Sequence, residues 1–539
     1  MWRGSGARLL ALAPHVVVGL ICVLFIQTGW RGIDFGEHWD EHHHVQSARR
    51  TVETGVLLPK DYWHPSATYL LTFACAGPEL VAKSIGRPID LRTALANDAW
   101  PLRVRRVFVV ITALVMVWVH LLLSRWRGGG PARAWEGVVA AALLGTSWQF
   151  AYHARWIAAD TVMVSFAALS TMCLVLSRDE RLPRRGLFWT GVVFAGVCTA
   201  SKYTTGLLLL SCLLTAARWQ QGESTRVVIE RMALTVLVWA VTTLAITPGM
   251  VIEAPRFFRR VQKQASIYGS TGFHGYTIDS HVAYVVAMGR YLFTQFFSSS
   301  PWIATGLSLL VPAGIVRLWR ERVAHDGVQV VVVLLFSGLY LGFFATQKTH
   351  IVRNFLVVTP TLAILAAVGA GWIVANLWRR LRLAAVALLL AMASVFVFDA
   401  GFLVTAAETI QERRGDRFVR DLAAWLDAHP DEQFVGSARV QAALATLDAS
   451  TGGNHARYLT SSPTDHTTLI ISYAWEALQR RKWPANDPDL TVKIFGPLEV
   501  DFNMYPTWQG DERIVVLTLE RARAIGATIP GAPPAKPPA

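Results

Sequence analysis

Long apolar segments alternate with short polar ones along the first three quarters of the chain. Many are long enough to cross the roughly 30 Å hydrocarbon core of a membrane as a helix. The pattern predicts eleven transmembrane helices, at about residues 9–28, 107–123, 135–151, 161–177, 187–200, 203–217, 232–250, 301–316, 328–346, 354–376 and 383–403. The first has basic residues before it, as a signal peptide does, but no small-residue cleavage site follows, so we interpret it as an uncleaved helix.

The loops between these helices differ in charge in a regular way. Arg-rich loops such as "SRWRGGGPAR", "SRDERLPRRG" and "RLWRERVAHDG" alternate with loops that carry few positive charges, such as "YHARWIAAD", "SK" and "QKTHIVRN". Short cytoplasmic loops of membrane proteins are enriched in Lys and Arg. The alternation therefore predicts that the N-terminus and the Arg-rich loops face the cytoplasm, and that the other loops lie outside.

This orientation depends on one segment, "HPSATYLLTFACAGPELVAKSIG". It is apolar enough to be a transmembrane helix, but a crossing here would turn every later Arg-rich loop outward. We therefore expect it to lie flat as a half-buried interfacial helix. It then belongs to a long first external loop, at about residues 29–106.

The C-terminal region has a different pattern. Strand-like runs "EQFVGS", "TTLIISYAW", "TVKIF" and "RIVVLTL" alternate with polar helical segments, which is typical of an α/β domain. The predicted fold is thus a polytopic α-helical membrane domain over residues 1–403 and a small extracytoplasmic α/β domain over 404–526. A Pro- and Ala-rich tail, 527–539, is expected to be disordered.

Composition agrees with a membrane protein, since 53% of the residues are hydrophobic and only 16% are charged. The formal net charge is +14, but the part from Val404 onward has 14 Lys and Arg against 17 Asp and Glu, so the preceding part carries +17. Cytoplasmic loops account for this excess, and nothing indicates a nucleic acid partner. The five cysteines are scattered and indicate neither a disulfide framework nor a metal-binding motif.

The first external loop begins with an unusual cluster of acids and histidines, "FGEHWDEHHHV". In a helix, Asp40, His43 and His44 would share one face, with Glu41 beside it. Three interpretations stay open. The first is a solvated loop without a specific role. The second is a site for a divalent metal (Mg, Mn or Zn) held by His43 and His44. The third is a catalytic site in which Asp40 or Glu41 is the general base.

Other polar residues occur on the same predicted side of the membrane. His64 is the first residue of the flat segment, Arg155 and Asp160 lie between two spans, and Lys202 and Arg353 lie in two further external turns. A single ionisable residue at the end of a span commonly snorkels to the interface. Several together indicate a site for an anionic substrate in the membrane, with cations to bind a phosphate and acids for base catalysis.

Five of these segments, in this order, resemble a known family. They are "DEHHHVQSARRTVETG", "YWHPSATYLL", "ARWIAADTVMVSF", "SKYTTGLLLL" and "VRNFLVVTPTLAIL". Together they resemble the GT-C superfamily of polytopic glycosyltransferases, and most closely its family 39-type members, which include protein O-mannosyltransferases and the aminoarabinose transferase of lipid A. The chain departs from many members at His64-Pro65-Ser66, where they have His-Pro-Pro, and in its triple histidine.

The resemblance implies a glycosyltransferase activity. The donor would be a sugar linked to undecaprenyl or decaprenyl phosphate, and the acceptor would be a hydroxyl of a lipid, glycan or protein. It also implies inversion of the anomeric centre and a site on the extracytoplasmic face of a bacterial cytoplasmic (inner) membrane. The roles it implies are general base for Asp40, orientation of the acceptor or the base for Glu41 and Asp160, and binding of the donor phosphate for Lys202, Arg353, Arg155 and His64.

Two other functions remain as alternatives. A transporter or flippase of lipid-linked sugars would place its charges near the middle of the membrane and would show inverted repeats. The charges here lie at the ends of spans and no repeat is visible, which favours the enzyme. A binding or scaffolding protein could instead use tryptophans of the C-terminal domain to stack on a glycan: Trp425, Trp475, Trp483 and Trp508.

Overall fold

The structure is a computed structural model of the chain. It describes residues 3–34, 40–59, 61–97, 99–126, 129–179, 181–219, 222–272, 276–321, 327–412, 416–461, 469–473, 493–495, 514–524 and 529. These residues form two compact units, of which the first contains most of the chain up to Thr405 and the second most of the chain from Ala406 onward.

The first unit is helical. Its α-helices are α1 (Arg3–Trp30), α2 (Glu41–Thr54), α3 (Ala67–Ala74), α4 (Gly77–Ser84), α5 (Leu91–Ala96), α6 (Ala99–Arg125), α7 (Pro131–Gly145), α8 (Trp148–Ala154), α9 (Ala159–Leu176), α10 (Arg184–Thr199), α11 (Leu208–Ala217), α12 (Thr225–Ile246), α13 (Gly249–Ile252), α14 (Ala254–Ser266), α15 (His281–Thr294), α16 (Pro301–Ser308), α17 (Leu310–Glu321), α18 (Gly327–Ala345), α19 (Thr359–Arg380) and α20 (Arg382–Glu412). Two 3-10 helices, Tyr203–Leu207 and Val352–Val358, and a π-helix, Ile267–Thr271, complete it.

Eight helical segments of the described chain are long and apolar enough to cross a membrane. They are Ala11–Trp30, Ala99–Arg125, Ala159–Leu176, Thr225–Ile246, Pro301–Glu321, Gly327–Ala345, Val352–Arg380 and Arg382–Gln411. The three other spans that the sequence predicts correspond to shorter helices: α7, α10 and the segment Tyr203–Ala217. Each of them packs against long helices, α7 against α1, α6 and α19, and α10 against α9 and α12.

Glycines allow two helices of the bundle to touch through their backbones. A methyl group on Gly314 of α17 would lie 1.9 Å from the carbonyl oxygen of Leu365 in α19. A methyl group on Gly369 of α19 would lie 2.1 Å from the carbonyl oxygen of Leu310 in α17. Small residues at such crossings are a common way to pack helices inside membranes.

The segment that we expected to lie flat does not form one long helix. It contains α3 and α4, which have eight residues each. A helix of eight residues is about 12 Å long, whereas a membrane core is roughly 30 Å thick. Neither helix can therefore cross the membrane alone, and the flat placement of the segment stays a prediction. The preceding helix, α2, ends at Gly55, whose φ of 70° suits glycine.

The sequence analysis assigned no role to α14, which is strongly amphipathic. Four basic residues at positions i, i+3, i+4 and i+7 form one stripe along it: Arg256, Arg259, Arg260 and Lys263. Phe257, from another part of its surface, is buried against Tyr62 and Tyr203. This combination is typical of a helix at a membrane surface.

The second unit is a small α/β fold, as predicted. Its helices are α21 (Asp416–Asp427), α22 (Ala438–Thr451) and α23 (Leu519–Ala524), with a 3-10 helix at His455–Tyr458. Its strands are β1 (Phe434–Gly436), β2 (Leu459–Thr460), β3 (Leu469–Tyr473), β4 (Lys493–Phe495) and β5 (Ile514–Thr518), in the sheet order β2-β1-β3-β5-β4. Strand β1 is parallel to β2 and β3, and β5 is antiparallel to β3 and β4. The sequence predicts each of these strands except β2.

Trp425, one of the four tryptophans considered for glycan stacking, packs against the core of this unit. Its ring lies 5.2 Å from that of Phe434, centroid to centroid, and 4.3 Å from that of His429. Trp425 therefore has a packing role in the fold. Trp475, Trp483 and Trp508 lie outside the described residues, as does nearly all of the predicted disordered tail.

Candidate functional site

Four charged side chains from four separate parts of the chain meet in the first unit. The Lys202 Nζ atom lies 2.6 Å from Asp160 Oδ1. The guanidinium of Arg353 bridges the two acids, with Nη2 at 2.7 Å from Asp40 Oδ2 and Nε at 3.4 Å from Asp160 Oδ2. We call these residues, Asp40, Asp160, Lys202 and Arg353, the charge quartet.

The backbone around the charge quartet consists of helix ends and turns. Asp40 is the N-cap residue of α2 and Asp160 lies in the first turn of α9, where a negative charge interacts favourably with the helix dipole. Lys202 lies between α10 and a 3-10 helix, and Arg353 lies within the other 3-10 helix. Irregular backbone in a membrane protein is tolerated where it is buried in protein or lines a cavity.

The charge quartet is largely buried, and its charges balance. The exposed fractions of the side chains are 13% for Asp40, 2% for Asp160, 10% for Lys202 and 7% for Arg353. Two acids and two bases sum to zero, which offsets part of the cost of removing each ion from water. Asn354 extends the cluster, because its Oδ1 accepts a hydrogen bond of 2.5 Å from Lys202 Nζ.

His64 also belongs to this site. Its Nε2 atom lies 3.4 Å from Asp40 Oδ2, and its ring lies 5.7 Å from the ring of His44, centroid to centroid. Burial, and next the neighbouring His64, lower the pKa of His44 to about 3, so His44 is neutral near pH 7. His44 therefore packs beside His64 as a buried, neutral ring.

His43 contacts a different acid. Its Nδ1 atom lies 3.1 Å from Asp61 Oδ2, and the backbone N–H of Trp63 donates a hydrogen bond of 3.1 Å to Asp61 Oδ1. Burial raises the pKa of Asp61, but the hydrogen bond and charge of His43 outweigh it, so the net pKa is below its usual value. Within the described residues, no group of three or more His, Cys, Asp or Glu is arranged to hold a metal ion.

The metal assignment to His43 and His44 stays a prediction. The two rings have different partners, an acid for His43 and a histidine ring for His44. Part of the acid and histidine cluster, residues 35–39, lies outside the described residues. Activity measured after treatment with a chelator, with and without added Mg, Mn or Zn, tests this assignment.

Glu41 is directed toward the helical bundle. Arg105 of α6 binds both of its carboxylate oxygens, Oε1 at 2.9 Å through Nε and Oε2 through Nη2. The backbone N–H of Ile157 also donates to Glu41 Oε1, at 2.7 Å, and Arg105 Nη1 donates to the carbonyl oxygen of Ile33, at 2.7 Å. Glu41 therefore fixes the first turn of α2 to α6 and to the turn before α9.

Arg155 likewise contacts backbone. Its Nη1 donates to the carbonyl oxygen of Arg31 at 2.8 Å and its Nη2 to that of Thr28 at 2.7 Å, which satisfies carbonyl groups at the end of α1. Burial lowers the pKa of Arg155 to about 10, so it stays protonated at neutral pH. The contacts of Arg155 stabilise the end of α1.

The sequence analysis missed three residues at or next to the site. Arg105 was overlooked because a basic residue near the start of an apolar helix commonly snorkels. Asn354 lies inside the quoted motif "VRNFLVV", directly after Arg353, and could have been noted there. His153 lies in the quoted motif "YHARWIAAD"; burial and then the charge of Arg353 lower its pKa to about 3, against the effect of Asp160.

No protein-family model and no curated protein matches the chain. Among solved structures, it is similar to ArnT from Cupriavidus metallidurans bound to undecaprenyl phosphate, with 14% identity and a TM-score of 0.51 over 93% of this chain and 97% of that one. It is also similar to the Archaeoglobus fulgidus oligosaccharyltransferase, with 10% identity and a TM-score of 0.49 over 86% of this chain and 70% of that one.

A third similar structure is the Saccharomyces cerevisiae protein O-mannosyltransferase Pmt1-Pmt2 complex bound to the sugar donor, with 16% identity and a TM-score of 0.33 over 48% of this chain and 36% of that one. All three proteins are GT-C glycosyltransferases. The likeness to ArnT extends over nearly the full length of both chains and shows a common fold. The GT-C fold that the sequence motifs predict is thereby confirmed.

Proposed function

We propose that this chain is an integral membrane glycosyltransferase that moves a sugar from a polyprenyl-phosphate donor to a hydroxyl group of an acceptor. The charge quartet is the observation that carries the proposal. It combines two cations that can bind a phosphate with a carboxylate that can accept a proton, and these groups lie at the ends of apolar helices. The fold agrees, since ArnT, which shares it, was crystallised with undecaprenyl phosphate.

In this proposal Lys202 and Arg353 bind the donor phosphate. Their side chains now contact Asp160 and Asp40, so an incoming phosphate shares the two cations with the two acids. Charge-assisted hydrogen bonds from a guanidinium and an ammonium are the strongest that side chains offer to a phosphate. Asn354 holds Lys202 through its Oδ1 and donates from its Nδ2 to Tyr268 Oη at 3.3 Å, which limits the positions of the ammonium.

Asp40 acts as the general base. Its carboxylate takes the proton of the acceptor hydroxyl, and the acceptor oxygen attacks C1 of the sugar from the face opposite the phosphate. The bond between C1 and the phosphate oxygen breaks, its electron pair stays on that oxygen, and the anomeric centre inverts. The polyprenyl phosphate that leaves gains one negative charge, which Lys202 and Arg353 stabilise.

The balance of charges in the quartet suits this reaction. A donor phosphodiester brings one negative charge, and the released phosphate monoester carries up to two. Asp40 loses its negative charge in the same step, because it binds the proton of the acceptor. The sum of charges in the site stays constant, so the reaction creates no new net charge where the dielectric constant is low.

We infer the extracytoplasmic side for this site from the Lys and Arg bias of the loops, and a bacterial cytoplasmic membrane from the nature of the donor. Labelling of single cysteines from outside the cell tests it: cysteines in "QKTHIVRN" should react, and cysteines in "SRWRGGGPAR" should not.

The transporter alternative gains no support here, because Asp160 and Arg353 lie near the ends of apolar segments rather than in their middle.

The decisive experiment is Asp40→Asn in the purified full chain. We expect turnover of undecaprenyl-phosphate-linked sugars, measured as released undecaprenyl phosphate, to fall by roughly 10²- to 10⁴-fold, the range for loss of a general base. Binding of undecaprenyl phosphate should persist, because Arg353 loses a competing acid.

The matched control is Asp279→Asn, because Asp279 is 87% exposed and 3.8 Å from Lys348. This variant should keep full turnover. Wild-type turnover by Asp40→Asn would refute the assignment of the base, and loss of undecaprenyl phosphate binding in that variant would show that Asp40 serves the donor instead.

A further inference from the structure

A cavity lies in the first loop, among α2, α3, α4 and α5, apart from the charge quartet. Its volume is about 520 Å³, within the range of roughly 300–1,000 Å³ that ligand pockets have. Its walls include the apolar side chains of Val52, Phe73, Leu80 and Leu91. None of the residues assigned to the glycosyl transfer lines it.

Two cations lie at this cavity. Lys83 and Arg92 both line it, and Lys83 has no ion-pair or hydrogen-bond partner within the described part of the chain. The Nη2 atom of Arg92 is 3.4 Å from the carbonyl oxygen of Glu53. One acid, Asp90, also lines the cavity, but its carboxylate is used as the N-cap of α5, where it accepts from the N–H of Arg92 at 3.0 Å and from Thr93 Oγ1 at 2.6 Å. The cavity thus combines an apolar interior with cations that suit an anion.

The surroundings of the cavity expose large apolar side chains. Val56 and Leu57 after α2, and Val81 and Ile85 on or after α4, are at least half exposed, and α4 has no buried residue. These residues lie outside the candidate membrane spans. Exposed apolar groups beside basic ones are typical of a segment that lies in the lipid headgroup region.

We propose that this cavity binds one anionic phospholipid of the surrounding membrane. An acyl chain occupies the apolar part, and the phosphate of the headgroup contacts Lys83 and Arg92. The apolar walls favour an acyl chain, which neither a free phosphate nor a polar sugar possesses. The proposal does not depend on the glycosyl transfer, because the cavity and the charge quartet share no residue.

The bound lipid has a structural effect on α2. Thr51, which lines the cavity, is joined to Tyr69 of α3 by a buried hydrogen bond of 2.6 Å between Oγ1 and Oη. Asp40 lies at the other end of α2, roughly 16 Å from Thr51 along the helix axis. A lipid between α2 and α4 therefore stabilises the helix whose N-cap residue is the proposed general base.

Native mass spectrometry of the delipidated full chain tests this proposal, with dioleoyl phosphatidylglycerol as the probe and dioleoyl phosphatidylcholine as the zwitterionic comparison. We expect one phosphatidylglycerol molecule to be retained in preference to phosphatidylcholine. The double variant Lys83→Gln with Arg92→Gln should weaken retention by about 30-fold, since each cation near an anionic headgroup contributes about fivefold. Leu80→Trp, which fills the cavity, should reduce retention of both lipids.

The matched control removes two exposed charges elsewhere, through Arg181→Gln with Arg226→Gln. It should retain phosphatidylglycerol as the wild type does. Phosphatidylglycerol should also raise the melting temperature of the wild type and the control, but not of the Lys83 and Arg92 double variant. Equal retention by that double variant and the wild type, or equal loss in the control, would overturn the proposal.

Discussion

Two buried clusters of four charges can be compared within the helical unit. The first is the charge quartet. The second, which we call the helix-pair network, joins Arg133 and Glu136 of α7 to Arg317 and Glu321 of α17. In it Glu136 lies 2.6 Å from Arg133 and 2.7 Å from Arg317, and Glu321 lies 3.2 Å from Arg133 and 2.9 Å from Arg317.

The two clusters differ in how the backbone holds them. In the helix-pair network the partners within one helix are spaced i,i+3 or i,i+4, and each side chain contacts two of opposite charge. The charge quartet draws on helix ends and 3-10 turns, and its salt bridges range from 2.6 to 3.4 Å. Regular helices thus hold the helix-pair network, whereas irregular backbone brings together the charges that, in the proposed function, exchange partners with a substrate.

The largest difference should appear when a cation is removed from each cluster. Lys202→Met should lower turnover by roughly 10²- to 10³-fold, as loss of an electrostatic stabiliser of the transition state does. It should also weaken undecaprenyl phosphate binding. Arg133→Met should leave turnover per folded molecule within about twofold, because that arginine touches no reacting group.

A double variant sharpens this test. Lys202→Met leaves Asp160 buried without one cation, so the variant should also melt at a lower temperature. Adding Asp160→Asn should restore the melting temperature but not the turnover. Recovery of turnover in the double variant would mean that the charge quartet, like the helix-pair network, serves only the fold.

The next effect is on stability. Glu136→Gln removes a carboxylate that neutralises two arginines, and loss of one partner from a buried ion pair costs about 3–5 kcal/mol. We expect a clear drop in melting temperature with turnover per folded molecule preserved. The control is Glu230→Gln, an exposed partner of Arg226, for which the change should be within about 0.5 kcal/mol. A loss of turnover in Glu136→Gln without a loss of stability would remove the distinction between the clusters.

Glu41→Gln should give an intermediate result. The amide cannot satisfy Arg105 and the N–H of Ile157 as the carboxylate does, which costs roughly 1–3 kcal/mol. Turnover should fall with it, because the first turn of α2 also positions Asp40. The melting temperature and kcat of the same preparation decide the role of Glu41, since a group that acted directly on the acceptor would change kcat alone.

The last effect is absent at neutral pH and appears only in acid. The pKa of His44 is lowered from 6.5 to about 3, so the unfolded chain binds a proton there at a higher pH than the folded chain does. The stability that neutral His44 provides is therefore present above pH 6.5 and is lost as the pH falls toward 3. Melting temperatures measured across this range should decline less steeply in His44→Gln than in the wild type. Parallel curves would show that His44 titrates normally.

Much of the fold could be predicted from the sequence, because apolar length and loop charge are local properties. The long apolar helices α6, α9, α18 and α19 are examples, since each corresponds to a span that the sequence predicts. The residue types of the charge quartet were also visible, at the ends of spans. The partners of Glu41 and Arg155 could not be predicted, because they are distant in sequence. Glu41 binds Arg105, 64 positions away, and Arg155 binds the end of α1 at Thr28, 127 positions away.

The close backbone contact between α17 and α19 has a consequence for motion. Helices that touch through Gly314 and Gly369 cannot slide past each other without steric overlap. We therefore expect α17 and α19 to move as one rigid body. Arg353 lies on the segment that leads directly into α19 and shares this rigidity. In the proposed reaction, Arg353 would therefore keep its position relative to α17 and α19 while substrates enter and products leave.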